Sequence, residues 1–204
     1  MSASPTRPGG TKRRPDRRAR ILAAAMDLFH RNGYHATGMD EIGAAAGITG
    51  PAIYRHFESK EQILATGIRE AVGGWLERNQ AILAEARSPR AALDALIANF
   101  VEGLIADRWV SAMIMRERHA LAPDTRRWVD QAERDHIAAW VQALGRLRPD
   151  LDEREARLMV HAGLWMCLCV AYYNSGVEPR REAAMLIGMV RAALLGEEPP
   201  VSAG

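Results

Sequence analysis

Apolar residues recur every three to four positions along most of the chain, and no alternating stretch has a useful strand length. The pattern is that of an all-α protein. A first amphipathic helix starts near Pro15 and stops at Asn32-Gly33, with Ile21, Leu22, Ala25, Leu28 and Phe29 as its core stripe. Two short helices follow. One places Met39, Ile42 and Ala46 on one face and ends at Gly47, a residue type that tolerates the left-handed conformation of a sharp helix end. The next is capped by Thr49, with Pro51 in its first turn, where a missing N–H does no harm, and is anchored by Ile48, Ile53 and Phe57. Ser59, with Gln62 three residues on, makes a capping box, so a long helix begins at Lys60 and runs to about Ala86. Gly73-Gly74 inside it bends the helix or admits a close neighbour. Ser88-Pro89 opens another helix, carrying Leu93, Leu96, Ile97, Phe100, Val101, Leu104 and Ile105. Further helices are expected at about 109–121, 124–147, 152–174 and 178–195, broken at Pro123, Pro149 and Ser175-Gly176. The total is about nine.

Charge sharpens this picture. The net formal charge is only +2, yet residues 1–62 hold ten Lys/Arg against six Asp/Glu, while the remainder is slightly acidic. Within the first twenty residues Arg7, Lys12, Arg13, Arg14, Arg17, Arg18 and Arg20 face a single Asp16. Residues 1–14, rich in Pro, Gly, Ser, Thr and Arg, read as a disordered basic arm. Such an arm is either a solubilising tail or, beside a DNA-reading motif, a phosphate-binding one. An apolar fraction of 48% and a charged fraction of 25% are those of a soluble globular protein of one or two domains. The N-terminal residues lack the apolar stretch of a secretory signal. Residues 158–173 are uncharged but too few to span a bilayer, and read as a helix buried on most sides. Cys167 and Cys169, two apart, point to different helix faces and do not pair; both suit a reducing cytoplasm as small core residues. No metal ligand set or cofactor is expected, since the spacing of His161 and the cysteines fits no zinc pattern.

The two short helices and their tight turn have the geometry of a helix-turn-helix, which sets its second helix in the DNA major groove. Residues 37–60, TGMDEIGAAAGITGPAIYRHFESK, preceded by Ile21 to Phe29 and the Asn32-Gly33-Tyr34 turn, resemble the N-terminal domain of the TetR (tetracycline repressor-like) family. Ile53-Tyr54-Arg55-His56-Phe57 followed by Ser59-Lys60-Glu61 is the most specific part. The likeness covers about positions 16 to 65; beyond it only length and helical character agree. It implies a three-helix DNA-binding domain at 15–60 and a helical ligand-binding and dimerisation domain at 61–204. It also implies groove-facing roles for Thr49, Gly50, Pro51 and Arg55, and phosphate contacts by Thr37, Tyr54, His56 and Lys60. Arg13, Arg14 and Arg17 supplement them from the arm. Gly50 and Pro51 carry no side-chain donors, so base reading falls on Thr49 and Arg55, with the arm and DNA shape adding specificity.

For the second domain the resemblance implies an effector pocket and dimerisation through the last two helices. Leu158, His161, Ala162, Trp165, Cys169 and Tyr172 share one stripe, and Ala184, Leu186, Ile187, Met189, Val190 and Ala193 enrich its partner. Leu158, Trp165, Tyr172, Leu186, Met189 and Val190 are therefore the interface candidates, although a monomeric core would use the same residues. Phe100, Met113, Trp128, Trp140, Trp165 and Met166 suit either an apolar pocket or plain core. Arg116 and His119 suit either an anionic head group on an acyl-type ligand or a solvated face. The sequence holds no G-x-S-x-G, P-loop, Rossmann glycine pattern or H-E-x-x-H, so an enzyme is not expected. The expected function is that of a cytoplasmic, nucleoid-associated bacterial repressor. It binds a palindromic operator as a homodimer and is released by a small, largely apolar ligand, without any membrane association. The rival is a ligand-independent architectural DNA-binding protein.

Overall fold

The computed structural model describes residues 16–106 and 108–196, the side chain of Ala120 excepted. Among these residues the structure is all-helical, with α1 (Arg17–Asn32), α2 (Met39–Ala46), α3 (Gly50–Ile53), α4 (Lys60–Glu85), α5 (Pro89–Ala106), α6 (Arg108–Glu117), α7 (Pro123–Leu147), α8 (Glu153–Leu168) and α9 (Pro179–Leu195). Single 3₁₀ turns extend α6 over Arg118–Ala120 and α8 over Cys169–Ala171. The chain divides into two compact units after Lys60. Residues 1–15, and with them Arg13 and Arg14 of the arm, lie outside the described residues.

In the first unit α1 packs on α2 and α2 on α3. Ile21, Leu22, Ala25 and Phe29 of α1 are buried with Ile42, Ala46, Ile53 and Phe57. Met26 takes the place expected of Leu28, which is only half-buried; the helix is rotated slightly toward the later side of its stripe. The end of α2 is a Schellman motif: Ile48 N–H donates to Gly43 O at 2.9 Å and Gly47 N–H to Ala44 O at 3.1 Å. Gly47 sits at φ 69°, ψ 38°, the left-handed region. Thr49 is the N-cap of α3 in extended conformation, but its side chain makes no capping bond, contrary to expectation.

In the second unit α5 packs against α7 and α9, α7 against α8, and α8 against α9, forming a four-helix core. Leu93, Leu96, Ile97, Val101, Trp140, Leu144, Val160, Leu164, Val190 and Leu194 fill it. Three starts are capped by side chains: Ser88 Oγ accepts from Ala91 N–H, Glu178 from Arg181 N–H, and Asp152 with Glu155 forms a reciprocal capping box. The stretch 158–173 is not one buried helix. It tightens after Leu168, and Tyr172 turns its hydroxyl onto the sulphur of Met115 at 3.3 Å. Cys167 is buried and its thiol is pushed up to about 12 by loss of solvent and by Cys169, whereas Cys169 is exposed rather than core. No described helix is long and apolar enough to cross a membrane. Gly73 of α4 has no atom within 4 Å of where a Cβ would stand, so it admits no close neighbour.

An imidazole is also buried in this unit. His136 of α7 is 4% exposed, its ring centroid 4.1 Å from Trp75, 5.2 Å from Phe100 and 5.3 Å from Trp140. Burial disfavours the imidazolium and pushes the pKa from 6.5 down to about 3.

Two outcomes follow for stability. Gly47→Ala should cost about 1–2 kcal/mol, because the left-handed conformation then carries a Cβ, one that would also stand 3.2 Å from the Arg20 guanidinium; chemical denaturation reads it. The unfolded chain takes up the His136 proton near pH 6.5 and the folded chain only near pH 3. This contribution is therefore complete above pH 6.5 and is lost as pH falls toward 3, by up to ~1.4 kcal/mol per pH unit. Denaturant titrations across that window should show a shallower acid slope for His136→Phe than for the parent; identical slopes would count against the burial argument.

Candidate functional site

The first unit exposes one end of its helix-turn-helix. Thr49, Pro51 and Arg55 are exposed, Tyr54 is 55% exposed, and Gly50 and His56 are half-buried. Side-chain donors on this surface are few, as Gly50 and Pro51 dictate. The residues behind it are fixed by close backbone approach. A Cβ on Gly43 would stand 3.1 Å from both Gly50 N and Ile48 O, so the α2–α3 corner closes over a glycine. A Cβ on Gly50 would fall 1.9 Å from Asp40 Oδ1, so the carboxylate occupies that space at the start of α3.

Three polar residues expected at the DNA surface are instead used within the unit. Thr37 is 1% exposed, and its hydroxyl donates to Gly33 O at 2.9 Å and Leu28 O at 3.4 Å, tying the turn to the end of α1. Lys60 Nζ donates to the carbonyls of Tyr34 (2.9 Å), Thr37 (3.0 Å) and His35 (3.4 Å), 4.5 Å from the centroid of the Tyr34 ring. These carbonyls hold the ammonium group within the unit. Arg20, counted with the basic cluster, donates to Ala46 O at 2.6 Å and closes the C-terminus of α2. Arg17 remains exposed at the first turn of α1, and Arg18 lies 4.6 Å over the Phe57 ring.

The second unit holds a cavity of about 370 Å³. Its wall is mostly apolar, from Ala71, Val72 and Trp75 of α4, Phe100 of α5, Ile114 and Met115 of α6, and Leu164 and Trp165 of α8. The polar groups are Arg78, Ser111, Arg118, Glu133, His136 and His161. Arg118 is held by Asp130 and by Glu133, the latter at 3.2 Å. Of the residues expected there, Phe100 and Trp165 line the cavity. Met113 and Trp140 are buried in the surrounding core, and Met166 packs on that core. Trp128 lies under the Arg69 guanidinium, 5.2 Å from its ring. Arg116 folds back on Ala112 O and His119 is exposed, so neither reaches the wall. Trp75, Arg78 and His136 were missed because α4 and α7 read simply as amphipathic helices.

An apolar surface runs along α8 and α9 of this unit. Leu158 is 71% exposed, Trp165 59%, Tyr172 64% and Met189 47%, joined by Tyr173 and Met185. Leu186 and Val190, expected on the same face, are 7% and 0% exposed. They point into the core because they fall about 100° from Met185 and Met189 on the helix.

Residues 21–66 match the family model described as bacterial regulatory proteins, tetR family. The chain is 34% identical over 110 residues to the HTH-type transcriptional activator FasR of Mycolicibacterium smegmatis, a match covering 46% of this chain and 47% of that protein. It is 27% identical over 173 residues to the HTH-type transcriptional repressor KstR2 of Rhodococcus jostii, covering 81% and 84%. Among solved structures it resembles FadR of Bacillus subtilis in complex with stearoyl-CoA, with TM-score 0.68, 21% identity and coverage of 88% and 99%. It also resembles AibR in complex with isovaleryl coenzyme A and operator DNA, with TM-score 0.73, 22% identity and coverage of 85% and 97%. These two likenesses carry the fold; the family rests on the helix-turn-helix and its match. The helix-turn-helix domain of this chain is that of the tetR family of bacterial regulatory proteins.

Proposed function

We propose that the protein is a dimeric transcriptional repressor that leaves its operator when a small, largely apolar, acyl-type ligand enters the second unit. The observation that carries this reading is the pairing, in one chain, of an exposed helix-turn-helix tip with an apolar-walled cavity of ligand size. Relatives captured with stearoyl-CoA and with isovaleryl coenzyme A and operator DNA support both halves of it. Thr49 and Arg55 read base edges, Tyr54, His56 and Arg17 meet phosphates, and the arm with Arg13 and Arg14 adds sequence-independent attraction. The α8–α9 stripe is covered by a second copy of the chain. Two reading heads one or more turns apart then match a palindromic operator.

The mechanism runs through α4. Its first residue, Lys60, clasps the loop after α1, while Trp75 and Arg78 lie in the cavity wall. A ligand that binds better to one position of α4 than another shifts the population of reading heads able to bind DNA. A coupling of ~1–3 kcal/mol corresponds to a fall in operator affinity of about 5- to 150-fold.

Selection of duplexes from a random pool should yield one palindrome, and Arg55→Ala should weaken binding to it by about 1–3 kcal/mol in fluorescence anisotropy. Decanoyl-CoA should lower the parent's affinity for that palindrome. Uniform coating of unrelated DNA, indifferent to the ligand, would instead favour an architectural protein. Leu158→Glu should move the sedimenting species from dimer to monomer, whereas a monomeric parent would remove the stripe from the reading.

A further inference from the structure

One polar side chain of the cavity wall has its hydrogen-bonding state dictated by a chain of neighbours. Arg78 has only donors, and its Nε donates to Asn99 Oδ1 at 3.2 Å. The remaining group of that amide, Asn99 Nδ2, donates to Asn79 Oδ1 at 2.8 Å. Asn79 therefore presents its own Nδ2 to His136 Nδ1, 3.1 Å away. Because Nδ1 accepts, the single proton of the neutral ring resides on Nε2. The direction of the whole chain is set by a group that cannot accept. Asn79 is 4% exposed, so its amide is not free to turn over into solvent.

Nε2, on the opposite edge of the ring, is buried and has no partner among the described residues, and His136 lines the cavity. An unmet buried donor costs about 1–3 kcal/mol. Trp140 Nε1 is a second buried donor without a partner, but its side chain does not reach the cavity wall. Trp75 and Phe100 pack against the His136 ring, their centroids 4.1 and 5.2 Å away. The groups that share the wall with His136 are Arg78, Ser111, Arg118, Glu133 and His161, and Arg118 and Glu133 are already paired with each other.

We propose that His136 donates its Nε2–H to the carbonyl oxygen of an otherwise apolar ligand, with Asn79, Asn99 and Arg78 as positioning residues that keep the proton on that nitrogen. The proposal rests on the reading of this cavity as the effector site and adds the feature by which the effector is chosen. A ligand of the same shape without an acceptor leaves the donor unmet, and a ligand offering a donor at this point meets another donor. The carbonyl of a thioester and that of a ketone satisfy it alike.

Tryptophan fluorescence titration with decanoyl-CoA, with S-decyl-CoA, whose methylene replaces the carbonyl, and with 2-undecanone tests it. The parent should bind decanoyl-CoA about tenfold more tightly than S-decyl-CoA, ~1.4 kcal/mol. In His136→Phe, which keeps the aromatic packing, the ratio should fall below about twofold while S-decyl-CoA binds no worse. Parallel loss of 2-undecanone affinity in the variant assigns the contact to the carbonyl whichever molecule carries it. Long-range proton–nitrogen NMR of the parent, which needs no variant, should show the His136 proton on Nε2. Equal binding of the two CoA compounds by the parent, or a proton on Nδ1, overturns the assignment and leaves an apolar effector site intact. Failure of all three probes to bind overturns the effector site itself and the assignment with it.

Discussion

The reading head depends on one approach of backbone to backbone. α2 and α3 meet at Gly43, where a methyl group would stand 3.1 Å from Gly50 N and Ile48 O. That contact sets the angle of α3, and so the direction in which Thr49, Pro51 and Arg55 point. Other features of the unit serve to hold it. Gly47 turns the chain without strain, Arg20 closes the carbonyl end of α2, and Asp40 fills the space over Gly50. Asn32 Nδ2 donates to Glu41 Oε1 at 2.7 Å and pins α1 to α2. A four-residue helix has almost no stability of its own. Its position is borrowed from this scaffold, so polar residues that look like DNA ligands are drawn into support instead.

The second unit answers a different constraint, because an apolar cavity gives affinity but little discrimination. A methylene more or less is worth only ~1–3 kcal/mol, whereas a fixed polar group rejects a ligand that leaves it unpaired. The chain from Arg78 through Asn99 and Asn79 to His136 supplies that group at the expense of three further polar side chains in and beside the core. Buried Asn79 and half-buried Asn99 carry a desolvation cost that apolar side chains would not. They make sense as a means of fixing one tautomer.

Local signals in the sequence were enough for the helices and for several of their ends. Gly47, the Ser88-Pro89 start and the Pro123 break act through a few neighbouring residues, and the structure places them where turn and capping chemistry requires. Contacts across long separations were not legible. Lys60 reaches carbonyls 23 to 26 residues earlier, and Arg20 reaches one 26 residues later, so their types alone read as surface charge. Helix phase was the other loss. α9 carries Met185, Leu186, Met189 and Val190, two adjacent apolar stripes, and periodicity does not say which faces the core. Val190 does, because Gly163 of α8 leaves room for it, its Cγ1 being 3.4 Å from where a Cβ would stand. Much of the cavity wall was not legible for the same reason. Trp140 and Met113 are as bulky as Trp75 and Ile114, and only the tertiary arrangement decides which of them borders open space.

Trp165 joins the two halves of the second unit's chemistry. Its side chain is 59% exposed on the α8 stripe, yet it also lines the cavity beside Leu164 and His161. A chain that covers Leu158, Trp165 and Tyr172 therefore covers one edge of the cavity as well. Two binding events that share a side chain change each other's free energy, and the change is reciprocal. Ligand that packs against Trp165 alters the affinity between chains by the same factor by which association alters the affinity for ligand. With the stripe covered as proposed, stripe and cavity form one thermodynamic unit, and α8, which carries Trp165, couples them.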